Sequence, residues 1–370
     1  MNGYWMGGLL GFVGLWLLAM AYAAWRFAVR REARAPLPVS LPRVSILIAA
    51  RNEEGALPRC LASLRQLDYP AELLEILVGD DASTDRTAAV AQAAMQGFAG
   101  RFRVVSITEN RGLARGKANV LAHLARLATT DFFFITDADI GLPRRWIAAL
   151  LAPAVPGVGT VTGITAVRGP QLFHHLQGID WLLSLSMVQV VSDQGRPVTA
   201  MGNNMLVTRA AYEATGGYEA LPFSVTEDFA LFQAVLAAGF DFRQVFNAEV
   251  RADSLPVPTW AALLRQRRRW LRGVEGLPFR LRLELLFFSG FWPALAGVAW
   301  LAGAGPALGI WGAKVVVQGV LAYFAHRWAG LRLRWWLLPL FELYTLALTV
   351  CILGFRLVGG PVVWKGRRYD

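Results

Sequence analysis

Apolar positions along the chain fall into two kinds of run. The long ones suit a membrane and the short ones suit a sheet. Residues Tyr4 to Trp25 carry no charge and are followed by Arg26, Arg30, Arg31 and Arg34. At about 1.5 Å per residue, a helix of that length covers a hydrocarbon core of roughly 30 Å. The positive-inside rule then places the N-terminus outside and the next domain in the cytosol. A cleaved leader is the rival reading, since Ala21-Tyr22-Ala23 resembles a small-x-small cleavage site. Against it, no basic region precedes the apolar stretch and the arginines follow it. Three more long runs come late, at 285–304, 306–325 and 335–355. Gly303-Ala304-Gly305-Pro306 separates the first two, and His326 to Arg334, with Arg327, Arg332 and Arg334, separates the last two. Lys314 and Glu342 interrupt the second and third. With that basic loop in the cytosol, Lys365, Arg367 and Arg368 would emerge on the wrong side for the rule. Hydropathy therefore leaves open whether one run is re-entrant or interfacial.

The short runs alternate strand and helix. Val44-Ser45-Ile46-Leu47-Ile48-Ala49-Ala50, after Pro36, Pro38 and Pro42, predicts a buried strand. Leu57, Cys60, Leu61, Leu64 and Leu67 recur at helical spacing, and Ile76-Leu77-Val78-Gly79 begins the next strand. A helix through Val90 and Met95, a strand Phe102 to Ile107, a helix with Val120, Leu121 and Leu124, and a strand Phe132 to Ile135 continue the pattern. This alternation predicts an α/β fold with a doubly wound, mostly parallel sheet and ligands at the carboxyl ends of its strands. Further on come an amphipathic stretch from His174-His175 through Trp181 to Val191 and a strand from Ala200 to Val207. A turn at Thr215-Gly216-Gly217-Tyr218 and a helix from Thr226 to Gly239 follow. Trp260 to Arg272 sets Trp260, Leu263, Leu264, Trp270 and Leu271 against Arg265, Arg267, Arg268 and Arg272, which predicts a helix lying in a membrane interface.

Composition agrees with two environments. The hydrophobic fraction of 55% and the 14 tryptophans exceed the soluble norm, and the excess gathers at the N-terminus and after Glu284. The formal charge of +11 includes seven arginines between Arg265 and Arg282, beside an apolar segment. That placement suits an anionic membrane surface, and no nucleic-acid motif accompanies the charge. Cys60 and Cys351 have neither disulfide-framework nor zinc spacing.

Candidate chemistry collects where strands end. Asp137 and Asp139 follow the run Phe132 to Ile135. On an extended backbone they point to opposite sides, so a turn just past Ile135 is needed to bring both near one ion. Their hard oxygens suit Mg²⁺ or Mn²⁺ bridging to a diphosphate, although a solvated loop pair has the same appearance. Asp80-Asp81-Ala82-Ser83-Thr84-Asp85 suits a turn and a helix N-cap. Arg111 to Asn119 is basic and glycine-punctuated, so Lys117 either meets phosphate or sits in a solvated connection. Thr226 as N-cap would put Asp228 in a first turn, where the helix dipole stabilises a carboxylate. Asp228 is then a candidate base or simply a partner of the dipole. The adjacent His174 and His175 are assigned no role.

The order of these pieces resembles the membrane-bound family 2 glycosyltransferases of GT-A fold. The match rests on Val44 to Glu54, Asp80 to Asp85, Gly116-Lys117-Ala118-Asn119, Asp137-Ala138-Asp139, Thr226-Glu227-Asp228 and Gln266-Arg267-Arg268-Arg269-Trp270, the last being a Gln-x-x-Arg-Trp pattern. The resemblance implies a nucleotide-sugar donor. Asp80, Asp81 and Lys117 would bind it, Asp137 and Asp139 would hold ribose and a Mg²⁺- or Mn²⁺-bound diphosphate, and Asp228 would be the base. Glu227, Gln266, Arg269 and Trp270 would close over the diphosphate and the acceptor entrance. It also implies four regions. These are an N-terminal transmembrane helix and basic flank at 1–35, the GT-A domain at 36–258, an interfacial helix at 259–284, and C-terminal membrane segments with a basic tail at 285–370. The tail Trp364 to Tyr369 looks like the cytosolic ending of some relatives.

The expected activity is inverting transfer of a hexose, from a UDP-sugar, to a membrane lipid hydroxyl, as in the ceramide glucosyltransferases and bacterial lipid glycosyltransferases that the chain resembles. Two alternatives stand beside it: a processive β-polysaccharide synthase, and a non-catalytic membrane subunit. At most four spans are few for a polymer channel, and Asp81, Asp137, Asp139, Asp228 and Arg269 are all present for catalysis. The expected partners are the donor, a lipid acceptor and the bilayer of the inner membrane, without nucleic acid, and the expected catalytic face is cytoplasmic.

Overall fold

The computed structural model describes residues 2–30, 40–358, 362–364 and 367–369. Arg31, Arg34, Pro36, Pro38, Lys365 and Gly366, the boundary expected at 35/36, and the side chain of Arg272 lie outside the described residues. The elements begin α1 (Asn2–Ala28), β1 (Val44–Ala50), α2 (Leu57–Leu64), β2 (Leu74–Asp80), α3 (Thr87–Ala94), β3 (Arg101–Ser106), α4 (Gly116–Leu127), β4 (Phe132–Asp137), β5 (Ile140–Gly141) and α5 (Trp146–Leu151). They continue β6 (Val158–Thr162), β7 (Thr165–Val167), α6 (Leu172–Ser192), β8 (Asn204–Thr208), α7 (Arg209–Ala214), α8 (Glu227–Ala237), β9 (Asp241–Gln244) and β10 (Ala252–Ser254). Last come α9 (Trp260–Glu275), α10 (Phe279–Ser289), α11 (Phe291–Ala302), α12 (Ala304–Trp328), α13 (Leu338–Val358), β11 (Val362–Trp364) and β12 (Arg367–Tyr369).

Two compact units emerge. One holds residues 33–169 and 195–256, the other 1–32, 170–194 and 257–370. The first is built on a seven-stranded sheet of order β3-β2-β1-β4-β8-β6-β9. β1 pairs in parallel with β2 and β4, whereas β8 runs antiparallel to β4 and β6. Central β1 and β2 are buried almost throughout, which is why they read as unbroken apolar runs, while edge strand β3 alternates with solvent. β8 begins at Asn204, later than the expected Ala200, because Gly202 and Asn203 form a turn before the pairing starts. A small second sheet, β5-β10-β7, lies beyond the Asp137 end of β4.

One buried side chain ties the antiparallel half together. Trp146 meets Phe134 edge-on at 5.1 Å and donates from Nε1 to Asn204 Oδ1 at 2.7 Å. Asn204 in turn donates to the carbonyls of Ile164 and Val250 at 2.6 and 2.7 Å. Its amide is thus fully engaged inside the protein.

In the second unit, four helices are long and apolar enough to cross a membrane: Tyr4–Ala28, Phe279–Ala302, Ala304–Trp328 and Trp335–Ile352. The second starts before the expected residue 285, since α10 forms its first turns from Phe279 through Arg280, Arg282 and Glu284 before the apolar run. α1 packs on α11 and α12. α6, expected within the 36–258 region, packs against α1, α12 and α13 through its apolar face, which includes Leu176, Ile179 and Leu183.

The two charges that interrupt the apolar runs answer each other. Lys314 on α12 is paired with Glu342 on α13, both almost fully buried. Trp16, Phe291 and Trp292 surround the ammonium with ring centroids at 5.7, 5.4 and 5.2 Å. An unpaired charge at that depth is expensive, so the pair fixes α12 against α13. Glu342→Ala is expected to lower stability by about 3–5 kcal/mol, read as a lower thermal midpoint of the purified protein in detergent. Lys314→Met combined with Glu342→Leu should recover most of that loss, and an unchanged midpoint in the single variant would show that the pair contributes nothing.

Candidate active site

The first unit gathers its polar residues at the carboxyl ends of β1, β2 and β4, on either side of the point where strand order reverses between β1 and β4. Crevices at such switch points are the usual ligand sites of open α/β sheets.

The loops after β1 and β2 are stitched to each other. Asn52 donates its N–H to Ser83 Oγ at 2.9 Å and accepts from Thr84 N–H at 2.8 Å. Glu53 N–H donates to Thr87 Oγ1 at 2.8 Å, and Glu54 N–H to Asp85 Oδ2 at 3.1 Å. Asn52 and Ala82 both adopt left-handed backbone, with φ of 53° and 51°. Asp80 accepts from Ser83 N–H at 3.2 Å, and Asp81 lies against Arg51, whose Nη1 is 2.6 Å from its carbonyl and 3.7 Å from its carboxylate. The N-cap position of α3 falls on Arg86, which makes no side-chain cap bond, and Asp85, one residue earlier, accepts from Thr87 N–H at 3.0 Å.

β4 runs two residues past Ile135, where the bend is expected. It continues through Asp137, and the turn falls on Ala138-Asp139. Both carboxylates lie close enough to the buried Cys60 thiol that they add to burial in pushing its pKa up. Among the described residues no group of three His, Cys, Asp or Glu side chains converges as a self-sufficient metal cage. Mg²⁺ and similar ions in nucleotide sites commonly take one or two carboxylates and complete their shell with phosphate oxygens and water. Asp137 and Asp139 fit that kind of donor set.

Lys117, in the first turn of α4, reaches Asp137 Oδ1 at 2.6 Å and Glu227 Oε1 at 2.9 Å, with its side chain 14% exposed. It is therefore not a solvated connection. Burial alone would lower its pKa, but Asp137, Glu227 and Asp228 acting together hold the ammonium well above the usual lysine range.

Asp228 stands in the first turn of α8, as expected, but Thr226 does not cap that helix with its side chain. The Thr226 hydroxyl is within 3.1 Å of Ser224 Oγ instead. Asp228 is held by main-chain donors, Gly202 N–H to Oδ2 at 2.7 Å and Phe229 N–H to Oδ1 at 2.8 Å. A Cβ on Gly202 would lie 2.6 Å from that of Asp228, so only glycine lets the loop approach this closely. Burial and the neighbouring Glu227 push the Asp228 carboxyl up to about 6, with Lys117 and the two N–H groups pulling the other way.

Tyr218, read from sequence only as part of a turn, is buried behind this cluster. Its hydroxyl has no hydrogen-bond partner among the described residues, and burial together with Glu227, Tyr212, Asp228 and Asp137 raises its pKa. Nothing local in Gly216-Gly217-Tyr218 signals this placement.

Gln266, Arg269 and Trp270 lie half-buried on α9 in the other unit. There Trp270 packs on Trp181 of α6 at 4.7 Å, and Arg267 lies over Trp270 at 4.5 Å while pairing with Asp180. Asp180 is not singled out by the sequence, and Arg267, expected on the basic face opposite Trp270, instead lies over that ring, as its i, i+3 spacing on a helix allows. His174 accepts from Gln171 N–H at 3.3 Å in an N-terminal cap, a structural use.

A model described as glycosyl transferase family 21 matches residues 11–370. The beta-monoglucosyldiacylglycerol synthase of Synechocystis sp. is 28% identical over 238 residues, 64% of this chain and 48% of that protein. A poly-beta-1,6-N-acetyl-D-glucosamine synthase of Staphylococcus epidermidis is 25% identical over 256 residues, 68% of this chain and 57% of that one. The chain thus spans about half the length of the curated relatives it matches. Among solved structures, a mannosyltransferase from Pyrobaculum calidifontis in complex with GDP-Man and Mn²⁺ superposes with a TM-score of 0.63 at 20% identity, covering 96% of this chain and 99% of that chain. That likeness agrees with the α/β fold expected from the strand and helix pattern.

Ala82 carries a Cβ at a positive φ, which costs an L-residue about 1–2 kcal/mol. Ala82→Gly is expected to stabilise the protein by about 0.5–1 kcal/mol after the added freedom of the unfolded chain is counted. A thermal midpoint that does not rise in that variant would show that the β1 and β2 loops do not hold this strain.

Proposed function

Because the chain belongs to glycosyl transferase family 21, we propose that it is an inverting glycosyltransferase moving a hexose from a nucleoside-diphosphate sugar to a hydroxyl of a membrane lipid. The observation that carries the reading is the seating of Asp228. A half-buried carboxylate with a raised pKa, aimed by the Gly202 and Phe229 N–H groups and placed beside the Lys117–Asp137–Glu227 cluster, is what a general base near a diphosphate requires. The relatives named beta-monoglucosyldiacylglycerol synthase support the lipid acceptor, and the four apolar helices supply a bilayer setting.

In this reading Asp80 and Asp81 bind the nucleoside, with Arg51 steadying Asp81. Asp137 and Asp139 take a divalent cation, Mg²⁺ or Mn²⁺, together with the diphosphate, and that ion supplies charge neutralisation for the leaving group. Lys117 keeps Asp137 and Glu227 in place and presents positive charge to the same region. Asp228 accepts the proton of the attacking hydroxyl as the new C–O bond forms at the anomeric carbon and the bond to the diphosphate breaks. Attack from the face opposite the leaving group inverts the anomeric centre. Glu227, beside Lys117, serves the diphosphate. The protein resides in the inner membrane with its catalytic unit in the cytosol. A second reading, a chain-forming polysaccharide synthase, draws on the similarity to the N-acetylglucosamine polymer synthase.

Membranes carrying the protein, given labelled UDP- or GDP-sugars with Mg²⁺ or Mn²⁺, are expected to place label in a small organic-extractable lipid. Asp228→Asn should abolish that label by about 10²-fold or more, the usual worth of a general base, while nucleotide binding stays. Label in precipitable polymer would instead support the synthase reading, and substantial turnover by Asp228→Asn would remove it from the base role.

The pH profile gives a separate test. The base must be ionised, and its carboxyl in the folded protein is raised to about 6. kcat/KM, which reports the free enzyme, should therefore fall as pH drops through about 6 and level off above it. Lys117 lowers the Asp228 pKa, so Lys117→Met should move the fall to higher pH. A profile that stays in place in that variant would show that the two groups are not coupled.

A further inference from the structure

Helix α2 grips the turn after β4 with three side chains from one face. Cys60 Sγ lies 3.6 Å from the Asp137 carbonyl, Arg59 Nη1 donates to the Asp139 carbonyl at 3.2 Å, and Ser63 Oγ accepts from Leu142 N–H at 3.0 Å. The other arm of the guanidinium, Nη2, donates to the Asp253 carbonyl on β10 at 2.8 Å. Asp253 stands opposite Gly141 in the β5–β10 pair, so one planar cation joins the Asp139 turn to the strand that backs it. Gly141 leaves room for it: a Cβ there would lie 2.9 Å from Arg59 Nη2 and 3.3 Å from Cζ. A rigid fork with two donors held at fixed spacing can set two carbonyls at once, which a lysine at the same place could not.

We infer that Arg59 is a positioning residue for Asp139. By fixing the carbonyl of that residue it sets the direction of the attached carboxylate, and with it the affinity of the Asp137/Asp139 pair for a divalent cation in the presence of a nucleoside diphosphate. The inference rests on the proposed metal and diphosphate role of these two aspartates. Hydrogen-bonded supports behind metal ligands commonly change metal affinity by about 10–100-fold.

The test uses the purified full chain and reads the disappearance of the free Mn²⁺ electron paramagnetic resonance signal, in the presence of UDP and, in parallel, GDP. Arg59→Met and Gly141→Ala are each expected to weaken Mn²⁺ binding by about tenfold or more, while nucleotide affinity without metal stays within about twofold. Arg59→Lys, which keeps the charge but loses the fork, should fall between. Where Arg59→Met fails to fold, Gly141→Ala decides, since it retains Arg59 and displaces only the end of a flexible side chain. Mn²⁺ affinity unchanged in the folded variants would overturn the role of Arg59. Wild-type Mn²⁺ affinity in Asp139→Asn would instead overturn the metal reading on which it rests.

Discussion

The site depends on one ammonium between carboxylates. Asp137 ends a strand, Glu227 and Asp228 open a helix, and Asp139 lies in the turn after β4, so folding brings several negative charges together at the edge of the sheet. Their mutual repulsion in a partly buried place would open the edge unless a cation answered it. Lys117 does so from the first turn of α4, a position where the helix dipole disfavours positive charge and only the facing carboxylates make it stable. The same ammonium also lies near enough to Asp228 to oppose the rise that burial and Glu227 give its carboxyl.

Around that centre, main-chain groups do most of the aiming. Asp228 is oriented by two N–H groups, Asp139 by its own carbonyl held from behind, and the β1 and β2 loops by a ladder of side-chain to main-chain bonds. Such contacts restrict a carboxylate without neutralising it. They also confine strain to Asn52 and Ala82, the two non-glycine residues with positive φ among those described.

The apolar unit uses charge differently. Lys314 and Glu342 are sealed among aromatic rings, and Asp180 with Arg267 pins α9 to α6 beside the stacked Trp181 and Trp270. In both places a pair of opposite charges specifies which helices meet, where apolar surfaces alone would allow sliding. The arginine that faces Asp180 sits inside the Gln-x-x-Arg-Trp pattern at a position the pattern leaves unspecified. The pattern's tryptophan is thus held by a neighbour that its consensus does not name.

Local periodicity by itself determined the strands β1, β2 and β4, the apolar helices, the amphipathic α9, and the placing of Asp228 in a first turn. Each of these depends on residues within one or two turns of each other. The order of the motifs also marked the family. What only the tertiary structure decided involves partners far apart in the chain. Lys117 meets Glu227 across 110 positions, Arg59 meets Asp253 across 194, and Trp146 meets Asn204 across 58. α6 joined the apolar helices rather than the sheet. In each case the competing contact is set by which surfaces the fold apposes, and no spacing along the chain encodes that.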